Sequence, residues 1–164
     1  MAEEIINRIA QSNLRVFDLE DLWPADGTLV FDLSPLAPEG IIREADARAF
    51  FKDLDKAAWT NKVVAIDCQG LIIPQWLWPM AAHAMSSSLF LAEGSMPSVM
   101  AAYYCQALSQ LDWETFAGKK VLLKGCSNQP VPPSAYIQAT SHLTKVVSKL
   151  MYGEACSNVP IMRT

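Results

Sequence analysis

Apolar residues recur along this chain in short runs, and their spacing alternates between helix-like and strand-like, with proline, glycine and polar turns between. Residues 3–10 put Ile5, Ile6 and Ile9 on one side of a short helix. Residues 14–23 mix apolar positions with Asp18, Glu20 and Asp21, ahead of a turn at 24–27. Residues 28–33 read as a strand, after which Pro35 and Pro38 interrupt the chain. Over 44–54, Ala47, Phe50, Phe51 and Leu54 fall at the spacing of one apolar helix face.

From Lys62 the pattern becomes regular. Residues 62–67 form a β-branched apolar run that fits a buried strand, followed by a loop and a helix over about 74–87. A strand at 88–92, a helix at 97–111 and a strand at 119–124 come next. Pro132 and Pro133 then open what reads as the longest helix, with Tyr136, Leu143, Val147 and Leu150 as its stripe and Gly153 as its stop after Tyr152. Alternating strands and helices predict crossover connections, hence a mostly parallel sheet with helices on its faces. No linker, charge block or low-complexity tract divides the chain, so the expectation is a single α/β domain over residues 1–164.

Composition narrows the partners. With 51% hydrophobic and 18% charged residues, the chain has the make-up of a folded domain rather than a disordered one. The net charge of −4, with basic residues scattered except for Lys119-Lys120, argues against nucleic acid. The uncharged stretch 68–91 is broken by Gly70, Pro74 and Pro79, so no membrane span is expected. The start Met-Ala-Glu-Glu lacks the basic and apolar regions of a signal peptide, which points to the cytoplasm. In that reducing setting four cysteines read as thiols or ligands rather than disulfides.

One feature carries the chemistry. Cys126-Ser127-Asn128-Gln129-Pro130 is nearly repeated as Cys156-Ser157-Asn158-Val159-Pro160, each copy setting a thiol, a hydroxyl and an amide before a proline. In open α/β sheets ligands gather beyond the carboxyl ends of strands. Cys68 follows the strand ending at Asp67, and Cys126 follows the one ending at Lys124-Gly125, so both fall at such ends. If those strands are neighbours or next-but-one neighbours, about 5–10 Å apart, the two thiols share a cleft and lie within about 10 Å of one another. Cys68, Cys126 and Cys156 with one further ligand would hold zinc or iron. The plainer alternative is that cysteines are small core hydrophobes, and no close Cys-x-x-Cys pair is present.

Cys156 raises a problem of distance. A helix over 134–152 is about 28 Å long and would carry Cys156 to the opposite edge from Cys126. Either the loop before that helix doubles back, or Cys156 meets Cys126 of a second subunit in a homodimer.

Cys105 reads as core, beside Ala101 and Leu108 on its helix. His142 shares a face with Gln138, Lys145 and Lys149 and reads as solvated, while His83 reads as half-buried near Met80 and Ser87. Asp67 fits a base, a supporting acceptor or simply a turn cap. Glu154 fits a ligand beside Cys156 or a solvated carboxylate, and Trp76 and Trp78 fit a pocket wall or the core. No phosphate loop, dinucleotide fingerprint, nucleophile elbow or paired-histidine motif occurs.

Asp67-Cys68 through Pro74-x-Trp76, Lys124-Gly-Cys-Ser127 through Val131-Pro132 with Ala135-Tyr136, and Tyr152-Gly-Glu-x-Cys-Ser157 through Val159-Pro160 resemble one bacterial family, domain of unknown function 2480. The run Phe17-Asp18-Leu19-Glu20-Asp21 resembles its opening, so the likeness covers nearly the whole chain. The resemblance brings no activity with it. It implies a place beside iron–sulfur assembly and singles out Cys68, Cys126 and Cys156, not Cys105 or the histidines. The leading expectation is therefore a cytoplasmic accessory protein whose thiolates bind a metal or carry sulfur in metal–sulfur metabolism. Two others stand beside it: a non-catalytic binding module with structural cysteines, and a thiol-nucleophile enzyme using Cys126, for which no base is placed.

Overall fold

Seven strands and four α-helices, joined by short 3-10 turns, make up residues 13–125 and 127–164, the part of the chain described by the computed structural model. The helix expected at 3–10 and the residue Cys126 lie outside the described residues. The chain forms two compact units, one of Trp23–Tyr104 and one of the described residues up to Leu22 with Cys105–Thr164.

In the first unit, β2 (Thr28–Asp32), β3 (Val63–Asp67) and β4 (Phe90–Glu93) form an all-parallel sheet with β3 in the centre. Val63, Val64, Ala65 and Ile66 of β3 are all buried, which explains why the run is continuously apolar rather than alternating. α1 (Glu44–Asp53) lies in the crossover from β2 to β3, and α2 (Leu77–Ala84) in that from β3 to β4. Ala47 and Phe51 of α1 and Leu77 and Ala81 of α2 share one core with Val64 and Ile66. Phe31 adds an aromatic cluster there, its ring meeting Phe50, Phe51 and Trp59 at centroid distances of 6.1, 6.4 and 6.3 Å.

In the second unit, β1 (Leu14–Asp18), β5 (Lys120–Lys124), β6 (Lys149–Glu154) and β7 (Ser157–Arg163) form a sheet in the order β1-β5-β6-β7. β1, β5 and β6 run parallel, and β7 returns antiparallel to β6. α4 (Pro133–Leu143) supplies the crossover between β5 and β6. The sequence of α3 (Met96–Ser109) runs from one unit into the other. Among the described residues no helix is long and apolar enough to cross a membrane.

The mixed α/β class and the mostly parallel pairing are as expected, but the strands are shared between two sheets. The larger departure is at the carboxyl end, where the long helix expected to reach Tyr152 stops at Leu143 and a β-hairpin follows. Leu143, Val147 and Leu150 are buried, as a helical stripe would require. Val147 and Leu150, however, reach the core from a turn and a strand. The β-branched pair Val146-Val147 is a poor helix continuation, and parallel pairing of Lys149–Tyr152 with Lys120–Leu123 satisfies that backbone instead.

Candidate functional site

Parallel strands deliver their carboxyl ends to one edge, so the ends of β1, β5 and β6 converge in the four-stranded sheet. Lys124 ends β5 and Glu154 ends β6, and their side chains form an ion pair with Nζ 3.0 Å from Oε1. Lys124 stands two residues before Cys126, and Glu154 two before Cys156. The hydrogen bond to Glu154 raises the Lys124 ammonium above its ordinary value, with help from the charges of Glu154, Asp18 and Glu20.

Cys156 sits in the two-residue tip of the β6–β7 hairpin, exposed, directly after Ala155. Gly153↔Asn158 and Glu154↔Ser157 pair across that hairpin. Asn158 Nδ2 donates to the carbonyls of Glu154 at 3.4 Å and Ala155 at 3.5 Å, closing the tip from inside. The distance problem posed for Cys156 therefore falls away. The hairpin returns the chain to the end of the sheet from which the Cys126 segment departs, and no second subunit is needed to explain the echo.

The Cys126 segment is gripped by a residue far away in sequence. Leu19, fully buried, anchors a 3-10 turn after β1, and the Asp18 carboxylate accepts the Glu20 N–H at 3.0 Å. From that turn the Glu20 carboxylate reaches the loop after β5. Its Oε1 accepts the backbone N–H of Ser127, of Asn128 at 2.8 Å and of Gln129 at 3.5 Å. Asn128 Nδ2 donates to Oε2 at 3.3 Å. Successive amides turned onto one anion form a nest. The Asn128 amide is the main reason the Glu20 carboxyl lies below its ordinary value, and the Ser127 and Gln129 amides add to it against partial desolvation. Behind the loop, Gly125 faces Tyr136: a Cβ placed there would be 2.6 Å from the phenol oxygen. Tyr136 meets Tyr152 of β6 edge to face, centroids 5.9 Å apart.

Cys68 has different surroundings. It follows β3, which belongs to the three-stranded sheet, so the expected route to a cleft shared with Cys126, through neighbouring strands, does not operate. Its half-buried thiol is pushed up by burial first, then by the charges of Glu93 and Asp67, which disfavours the thiolate. Asp67 caps the turn, accepting Gln69 N at 3.0 Å and Gln69 Nε2 at 3.1 Å.

Cys105 is exposed, contrary to its expected place in the core. The buried row of α3 is Met100, Tyr104 and Leu108, and Cys105 is one step of about 100° further round. His142 is not simply solvated, since its ring stacks on Trp113 with centroids 4.9 Å apart and planes 1° from parallel. His83 is exposed rather than half-buried, and it lines a groove with Trp76, whereas Trp78 packs against the core. Glu154 is the ion-pair partner of Lys124 rather than a free carboxylate. Among the described residues, which exclude Cys126, no three His, Cys, Asp or Glu side chains gather as a metal group.

Glu20 and Lys124 are the residues that sequence reasoning missed. Glu20 lies 107 positions from Ser127, so no local spacing relates them. No curated protein and no solved structure matches the chain. A family model described as "Protein of unknown function (DUF2480)" matches residues 3–164, in keeping with the three cysteine-bearing segments and the acidic opening, and the chain belongs to that family.

Proposed function

We propose that the protein is a cytoplasmic thiol accessory protein in which Cys126 and Cys156 together hold a thiophilic cargo, sulfane sulfur or a zinc or iron ion. The Lys124–Glu154 ion pair carries this reading, because it joins two strand ends that each continue, two residues on, into a Cys-Ser-Asn segment. Strands hydrogen-bonded as neighbours lie about 4.8 Å apart, a spacing compatible with two thiols acting on one atom. The cationic Lys124, two residues before Cys126, favours an anionic sulfur at that position. Cys156, exposed at a hairpin tip, suits passage of the cargo to another protein. Cys68 contributes least, since its surroundings hold it as the neutral thiol.

The test is elemental analysis and sulfane-sulfur assay of protein purified without chelator, with alkylation rates at neutral pH. Cys126→Ser and Cys156→Ser are each expected to abolish the bound cargo. If the cargo is a metal, they are also expected to lower the melting temperature, because a ligand of the folded state alone adds its binding free energy to folding. Cys68→Ser and Cys105→Ser are expected to retain the cargo, and Cys68 is expected to alkylate slowly. Native protein with neither metal nor sulfane sulfur and four unremarkable thiols sinks the proposal.

A further inference from the structure

The groove between α1 and α2 has a charge opposite to that of the chain as a whole. The protein carries a net charge of −4, yet Arg48, Lys52 and Lys56 line one cavity of about 390 Å³ together with His83 and Ser86, and no carboxylate lines it. Arg48 and Lys52 are four residues apart on α1, and Lys56 follows four residues on, in the 3-10 turn after the helix. Arg48 and Lys52, like charges one turn apart on the same helix, repel one another. Lys52 and Lys56 form no ion pair among the described residues. Arg48 is tied to Glu44 at 2.7 Å, and Glu44 lines an adjoining cavity of about 400 Å³ rather than this one.

The groove also has an apolar side. Phe51, Met80 and Ala84 line the cationic cavity, and Trp76, 38% exposed, lines the adjoining one. Both cavities share Arg48, Met80 and His83, so they form one continuous trough with a cationic end and an aromatic end. Each volume falls in the range of roughly 300–1,000 Å³ usual for small-molecule sites. Lys52 and Lys56 stand exposed at the surface beside this apolar side. They match a ligand whose anionic head meets the lysines while its body covers Met80 and Trp76.

We propose that the α1–α2 groove binds a small organic anion, a phosphate or carboxylate borne on an aromatic or aliphatic body. This site lies wholly within the unit Trp23–Tyr104 and does not depend on the thiol reading. Four probes titrated into the isotope-labelled full-length protein, with backbone amide and indole N–H signals followed by NMR, test it: phenyl phosphate, phenylacetate, inorganic phosphate and benzyl alcohol. Phenyl phosphate or phenylacetate, whichever head the site prefers, is expected to saturate shifts confined to α1, α2, Lys56 and the Trp76 indole. Inorganic phosphate is expected to bind at least about fivefold more weakly and benzyl alcohol not measurably below ~10 mM. Lys52→Gln with Lys56→Gln is expected to lower affinity about tenfold or more for the preferred probe. Trp76→Ala is expected to weaken that probe but not inorganic phosphate. All three side chains are at the surface, so the variants keep the fold, and unchanged spectra away from the groove verify it. The proposal is overturned by any of three results: no saturable shift below ~10 mM from either aromatic anion, shifts centred elsewhere, or undiminished binding in the lysine variant.

Discussion

Alanine at Gly153 is expected to lower stability by about 2–4 kcal/mol and the melting temperature by roughly 5–10 °C. Gly153 has φ +121°, a backbone conformation closed to side-chain-bearing residues. A Cβ there would also stand 2.8 Å from the Ser157 carbonyl oxygen and 3.3 Å from the Asn158 Cα. Both obstacles are backbone atoms of the paired strand β7, so neither can turn aside without opening the Gly153↔Asn158 pair. Gly125→Ala makes an instructive contrast. Its new methyl would meet the phenol oxygen of Tyr136 at 2.6 Å and two ring carbons at 3.1 and 3.2 Å, all of them atoms of a side chain rather than of paired backbone. The expected loss there is about 1 kcal/mol, within the ordinary range for a point substitution. Urea and thermal melts of the two variants check the order. A Gly153→Ala protein as stable as the parent would mean that the hairpin carrying Cys156 is not formed as described.

The same glycine shows how far the sequence could be read. After a run of helical spacing, Gly153 looks like a helix stop, and only the pairing partner reveals it as a bend inside a strand. Leu143, Val147 and Leu150 fit a helical stripe and are all buried, so burial periodicity could not separate helix from turn plus strand. β3 and β5 were legible because their central residues are buried almost without exception, which forces an unbroken apolar run. β1 was not, since its exposed Val16 and Arg15 and the acidic turn behind it dilute the pattern. The division into two sheets was beyond local reading, because alternation of strands and helices says nothing about which strands become neighbours. Repetition in the sequence exposed the two Cys-Ser-Asn segments. Glu20 was hidden because its partners are backbone amides, which leave no trace in residue identity.

Glu20→Gln is expected to release the loop that follows Cys126. The carboxylate accepts three backbone N–H groups and the Asn128 amide, and a neutral amide of the same shape replaces charge-assisted bonds with weaker ones while aiming donors at other donors. Hydrogen exchange at Ser127 and Asn128 is expected to speed up about tenfold or more in Glu20→Gln, and similarly in Glu20→Ala, with β5 itself unaffected. Acid should reproduce the effect in the unmodified protein. The folded-state carboxyl lies below its ordinary value, so the grip contributes stability that is fully present above the unfolded value of about 4.3 and is lost as pH falls through the lower folded value. Faster exchange of these two amides should therefore set in only below about pH 4, after correction for the intrinsic exchange rate. Alkylation of Cys126 gives a readout that mere destabilisation would not move. Removing a carboxylate from the loop while Lys124 remains is expected to favour the Cys126 thiolate, so Glu20→Gln should react faster at neutral pH with Cys68 unchanged. Equal acceleration at both cysteines would mean that the substitution loosens the protein generally, and unchanged exchange at Ser127 and Asn128 would mean that Glu20 does not hold the loop.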